Sequence, residues 1–285
     1  MRRLTLMAIA ILAICGMLFT GCANGEMSEE DMERVVAEIV SANSEIDTVS
    51  FDLEMSGDID VAGTDDVDKV SIVAEGHGIV DSTAEQMHMT LAMSYVVPGE
   101  ETSEIPVEYY FTDGWMYISL AVPEQGEQWM KMQMPANMWD QQNEVAQQTD
   151  MLMTADEVNF LGMEDVNGVE CYVVEIVPAL ETIRETMSQM QGQMSQFGEV
   201  DLSQMDMGNM LKELSVTQYI AAETYLFMRT DQHIVMEVTP ESLGVPSTDF
   251  DKITEDLWTT VFFLDYGKPV TIQLPQGALA ATEMS

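Results

Sequence analysis

The feature that most constrains this chain is a two-residue rhythm of dry and wet side chains, repeated from residue 48 almost to the end. In "TVSFDLEMSGDI", Val49, Phe51, Leu53 and Met55 alternate with Ser50, Asp52, Glu54 and Ser56. Successive side chains of a strand point to opposite faces, so such a run builds a strand with one apolar and one solvated face. "DKVSIVAEGHGIVD" continues the pattern, and "EQMHMTLAMSYVV" puts Met87, Met89, Leu91, Met93 and Tyr95 on one face. "EQWMKMQMP" sets Met130, Met132 and Met134 against Trp129, Lys131 and Gln133. Asp113-Gly114 and Asn167-Gly168 stand where tight hairpin turns require residues that tolerate positive φ.

Three stretches break the rhythm. In "SEEDMERVVAEIVSANSEI", Ser28 and Asp31 form a capping signal, and Met32, Val35, Val36, Ile39 and Val40 recur at helical spacing, which predicts a helix over 28–44. A polar stretch over 136–153 is expected to hold a second helix. A Met-rich stretch over 180–214 carries Leu180, Ile183, Met187, Met190, Met194 and Phe197 on one helical stripe, with a shorter helix predicted over 202–214. The remainder, including two last strands after residue 256, gives about ten or eleven antiparallel strands. The expected class is α+β, a strongly curved antiparallel sheet covered by helices. No shift of composition marks a linker, so residues 28–285 are expected to form one domain.

The start of the chain is of another kind. Arg2 and Arg3 precede an apolar run, Leu4 to Phe19, too short for a comfortable membrane span and suited to the core of an export signal. Thr20 and Gly21 then lead to Cys22. The stretch "LFTGC" resembles the lipobox of prokaryotic lipoproteins, with Phe19 in place of the usual leucine. The resemblance implies a signal over 1–21, lipid on the Cys22 thiol, a short tether over 22–27, and a place on the outer side of the cell membrane. An ordinary signal peptide and an uncleaved anchor are the alternatives. Of the three cysteines, Cys15 lies in the signal and Cys22 is the proposed anchor; Cys171 is left alone and reads as a small buried residue.

A formal net charge of −40 repels nucleic acid and anionic headgroups, which excludes DNA and RNA as partners. No Gly-rich phosphate loop, zinc spacing or serine elbow is present, so no enzyme activity and no cofactor are expected. His77, His88 and His233 occur singly and read as strand-face residues. "GTDDVD", Gly63 to Asp68, leaves calcium as an alternative, but its spacing does not match a calcium-binding hand and a solvated hairpin loop is the preferred expectation. The 26 methionines include clusters, Met205, Met207 and Met210 among them, whose thioethers would suit Cu(I). No His or Cys accompanies them, and apolar filling is the simpler account.

"YYFTDGWMYISL", "EQWMKMQMP", "DVNGVECYVVEIVP", "YIAAETYLFMRTD" and "FFLDYGKPVTIQLP" occur in the order seen in LolA-like/LppX–LprG-type lipoproteins, and the chain resembles that family over most of 28–280. The resemblance implies a half-barrel closed by helices around an apolar cavity, which in characterised relatives holds acyl chains. It implies here a carrier or chaperone for a lipid or other apolar ligand. Met89, Met93, Met130, Met132 and Met134 are the expected floor of that cavity, and Met187, Met190, Met194 and Phe197 its lid. Unbranched, polarizable thioethers re-pack around flexible guests, so they suit such a lining. A second expectation, of a different class, is an envelope interaction or sensing module that works through its acidic outer face on a protein partner.

Overall fold

The structure, a computed structural model, describes residues 27–63, 69–99, 102–122, 126–134, 139, 143–178, 210–242 and 251–283. Helix α1 (Glu29–Ser44) opens it. The Ser28 side chain accepts a hydrogen bond from the Asp31 backbone N–H, and the Ser28 hydroxyl donates to Asp31 Oδ2 at 2.7 Å, so the expected cap forms.

Six strands follow: β1 (Thr48–Ala62), β2 (Lys69–Asp81), β3 (Gln86–Val96), β4 (Ser103–Thr112), β5 (Trp115–Val122) and β6 (Gly126–Gln133). Helix α2 (Glu144–Met153) interrupts them. Then come β7 (Glu157–Val166), β8 (Val169–Val177), β9 (Leu211–Ala221), β10 (Phe227–Val238), β11 (Lys252–Leu264), a single helical turn α3 (Gln276–Leu279) and the two-residue β12 (Thr282–Glu283). All join one large, curved, unclosed sheet in the order β12-β6-β5-β4-β3-β2-β1-β11-β10-β9-β8-β7. Every pairing is antiparallel except β12 on β6.

Both predicted two-residue turns are present: φ is 53° and 74° at Asp113 and Gly114, and 56° and 85° at Asn167 and Gly168. Positive φ at both central residues matches the turn's twist to that of the strands it joins.

Several expectations need correction. The sheet has twelve strands rather than ten or eleven. Only β11 forms from the stretch expected to give the last two strands; residues 265–275 carry no strand, and the edge is completed by β12. The helix predicted over 202–214 fails at its end, because Leu211 already belongs to β9. There Leu214 pairs with Ile234 and Val216 with Gln232, and this cross-strand packing overrides a helical spacing of apolar residues. The helical cover is also smaller than expected. Among the described residues the cover of the apolar face consists of α1 and α2, with Trp139 beside them; α3 packs by Trp129 on the other face, and the helical stretch expected over 180–201 lies outside the described residues.

The core lies between α1 and α2 on one side and one end of the sheet on the other. Val35 and Ile39 of α1 and Val145 and Leu152 of α2 meet Phe51, Val80, Phe111, Val174, Ile220, Phe227 and Phe263 of the strands. Asn43, buried at the end of α1, ties the helix to the β9–β10 turn. Its Nδ2 donates to the carbonyl oxygens of Ile39 at 2.8 Å and Tyr225 at 2.9 Å. Cys171 is fully buried, and burial pushes its thiol pKa up, so it is a packing residue and a poor nucleophile.

Candidate ligand-binding face

Register assembles the methionines. Val80 faces Met87 across β2 and β3, Met87 faces Phe111, and Phe111 faces Met116, which faces Met132. One and two rungs further along, Gly78–Met89–Tyr109–Ile118–Met130 and Gly76–Leu91–Val107 continue on the same face. Ala74–Met93–Ile105 makes the next rung. All five methionines expected as a floor, Met89, Met93, Met130, Met132 and Met134, therefore share the helix-bearing side of the sheet. Met89 and Met134 pack against the rim of the core, whereas Met93, Met130 and Met132 lie beyond it, half-buried. Cys22, Met187, Met190, Met194 and Phe197 fall outside the described residues, as do Met205 and Met207; Met210 is buried.

The face thus has two zones. At one end the side chains are fully buried under α1 and α2. At the other, Met55, Ile72, Leu91, Met93 and Tyr95 remain only half-buried. A hollow of about 290 Å³ opens between the helices, lined by Val40, Ile46, Val145 and Met153 together with polar Asn43, Asn143 and Asp150.

Burial has a consequence for titration. The Tyr109 pKa is pushed up to about 12 by desolvation, and those of Tyr110 and Tyr266 are also raised, burial being the first cause in each. The folded state therefore holds these protons more tightly than the unfolded chain does. Stability is fully present below the ordinary tyrosine pKa of about 10 and falls as pH rises towards the folded values. Urea midpoints taken from pH 9 to pH 12 are expected to drop steadily above pH 10, and Tyr109→Phe is expected to flatten part of that drop.

The opposite face is wet but not flat. A groove of about 730 Å³ crosses β1 to β5 there, lined by Asp52, Glu54, Glu75, His77, Pro106 and Glu108 among others. The histidines stand on strands, as expected, each beside a carboxylate. His77 Nδ1 lies 2.7 Å from Asp52, His88 Nε2 3.0 Å from Glu108, and His233 Nε2 2.8 Å from Asp256. Nothing in the reading of single motifs pointed to this groove. The one local signal for this face is "EDLWTT", where Trp258 occupies the solvated phase of an alternating strand; it lines smaller hollows beside the groove rather than the groove itself.

A family model described as a family of unknown function, DUF6612, matches residues 31–282. The chain belongs to DUF6612. The match spans the chain from the first turns of α1 to the beginning of β12. No curated protein sequence matches this DUF6612 chain. Among solved structures it is similar to the lipoprotein LppX of Mycobacterium tuberculosis, at 10% identity and a TM-score of 0.45, over 86% of this chain and 100% of LppX. It is similar to LprF from Mycobacterium bovis at 12% identity and a TM-score of 0.40, over 88% and 99% of the two chains. A DUF1329 family protein from Desulfovibrio piger follows at 10% identity and a TM-score of 0.29, over 84% and 94%.

Proposed function

We propose that this DUF6612 protein is a non-enzymatic lipoprotein, tethered to the outer side of the cell membrane through lipid on Cys22, that takes a lipid or other apolar guest against its methionine-bearing face. On this reading residues 1–21 are the export signal, 22–27 the tether and 28–285 one domain. The observation that carries it is the half-buried zone of the apolar face. A solvated polar face and a helix-packed end would suffice for a stable sheet. Yet Met55, Leu91, Met93 and Tyr95 extend the apolar surface past the buried core. A guest laid there leaves water at roughly 0.8 kcal/mol for each methylene it buries. Met89, Met93, Met130, Met132 and Met134 would contact it, and Met187, Met190, Met194 and Phe197 would close over it.

The test uses the full chain made in a prokaryote that processes lipoproteins. Mass spectrometry of the purified protein should find Cys22 as the acylated N-terminal residue, and Cys22→Ser should leave the membrane fraction. Organic extraction should release acyl-chain guests from the wild type. Met93→Glu, which sets a charge in the half-buried zone, should lower guest content about tenfold, whereas Met93→Leu should retain it. Wild-type protein that is acylated yet guest-free would refute the carrier reading and leave the tether standing.

The groove on the wet face favours a second reading, interaction with an envelope partner through the acidic side.

A further inference from the structure

The wet face holds a feature that neither the tether nor an apolar guest explains. Trp258 is 54% exposed, and Val73 is 50% exposed. Solvent-facing positions of an acidic sheet do not call for a large aromatic residue. Register places the two in one rung, His233–Trp258–Ser56–Val73, running from β10 to β2. The His233 imidazole stacks on the indole at 3.9 Å between centroids and 9° between planes. That contact fixes the orientation of the Trp258 ring. Small Ser56 separates Trp258 from Val73, and the gap opens into hollows of about 200 and 330 Å³, both lined by Ser56, Val73 and Trp258.

Carboxylates flank this slot on both sides. In the next rung Glu54 faces Glu75 directly across β1 and β2, and neither makes an ion pair among the described residues. Like charges directly opposite in a sheet are destabilising. On the other side Asp58 faces Asp256; Lys69 pairs with Asp58 at 2.8 Å and His233 with Asp256. Glu54 and Glu75 also line the large groove, so slot and groove are continuous. From β11 to β5 the path crosses six strands, about 24 Å at the usual inter-strand spacing. An extended peptide of about seven residues covers that distance.

We infer that this groove is a docking site for an extended basic segment of a partner protein, with an arginine side chain seated in the Trp258 slot. Charge complementarity selects the occupant: the lining is carboxylate-rich on a chain of net charge −40. A guanidinium stacks on an indole face while its N–H groups donate to carboxylates, and Glu54 and Glu75 supply those acceptors without first breaking an ion pair. Further basic side chains, two residues apart along the segment, point to the same side and meet the acidic lining towards Glu108. The inference stands apart from the carrier reading, since it concerns the other face of the sheet.

The experiment measures fluorescence anisotropy of a labelled ten-residue peptide of alternating Arg and Ala, titrated with the full chain at physiological ionic strength. The wild type should bind it and bind an alternating Lys-Ala peptide several-fold more weakly. Trp258→Ala should weaken the Arg peptide about tenfold, as should Glu54→Gln with Glu75→Gln, while the latter pair raises the thermal midpoint by relieving like-charge repulsion. Glu33→Gln with Glu38→Gln removes the same charge from exposed positions of α1 and should leave binding within twofold. Equal weakening by both charge pairs would overturn the inference in favour of unspecific attraction. So would unchanged binding in Trp258→Ala, or complete displacement of the peptide by equimolar spermine or calcium.

Discussion

Gly78→Val is expected to destabilise the protein by about 3 kcal/mol, at the upper end of overpacking costs, and to lower the urea midpoint without changing the slope. Gly78 sits in the middle of β2, on the apolar face, directly opposite Phe51 of β1. A Cβ built there would lie 2.2 Å from Phe51 Cζ and 2.5 Å from its Cε1. The ring therefore lies flat over the glycine and takes the space a side chain would need. Phe51 cannot swing aside, because it is only 3% exposed and packs within the main core. The signature of this mechanism is partial rescue. Phe51→Ala alone leaves a cavity, while Gly78→Val with Phe51→Ala refills some of it, so the double variant should be more stable than the two single losses predict. Strict additivity would show that the contact is not the cause.

Phe227→Ala should cost more, about 3 to 5 kcal/mol, the range for removing a fully buried aromatic ring. Phe227 is fully buried, with its ring centroid 6.0 Å from that of Phe263. It also stands where three elements meet. Its carbonyl accepts from the Tyr266 hydroxyl at 2.5 Å, and its backbone N–H makes a long 3.5 Å contact to Asn43 Oδ1 at the end of α1. Loss of the ring should loosen the seat of α1, so amide exchange in α1 should rise more than in β3 or β4. Uniform acceleration through the whole sheet would count against a special role in holding the helix.

How far these features were legible in advance follows from the range of the physics behind each. Alternation is local, and it put Val49 with Phe51, Met89 with Met93, and Met130 with Met132 on one face of their own strands before any strand partner was known; only the register joins those faces into one. The turns at Asp113-Gly114 and Asn167-Gly168 were equally legible, since their chemistry depends on two residues. The amphipathic helix α1 was readable with its cap, because Ser28 and Asp31 act within one turn. The strand identity of Leu211 to Leu214 was not readable, because apolar residues there also fit a helix and the decision rests with β10. Strand order was not readable at all, so the rung from His233 to Val73 could not be assembled from segments that lie far apart in the chain. The same holds for the facing of Glu54 and Glu75, which depends on the β1–β2 register.

The position of β1 has a consequence for how this molecule comes into being. Its one edge is taken by the neighbouring β2, but its other edge waits for β11, and Ser50 pairs with Leu264 across more than two hundred intervening residues. During vectorial synthesis, β1 to β6 can zip up as successive hairpins while that second edge stays bare. Completion of the sheet is thus deferred until nearly the whole polypeptide has emerged. A product cut short before residue 252 would present an unsatisfied backbone ladder in its middle, open to a second nascent copy.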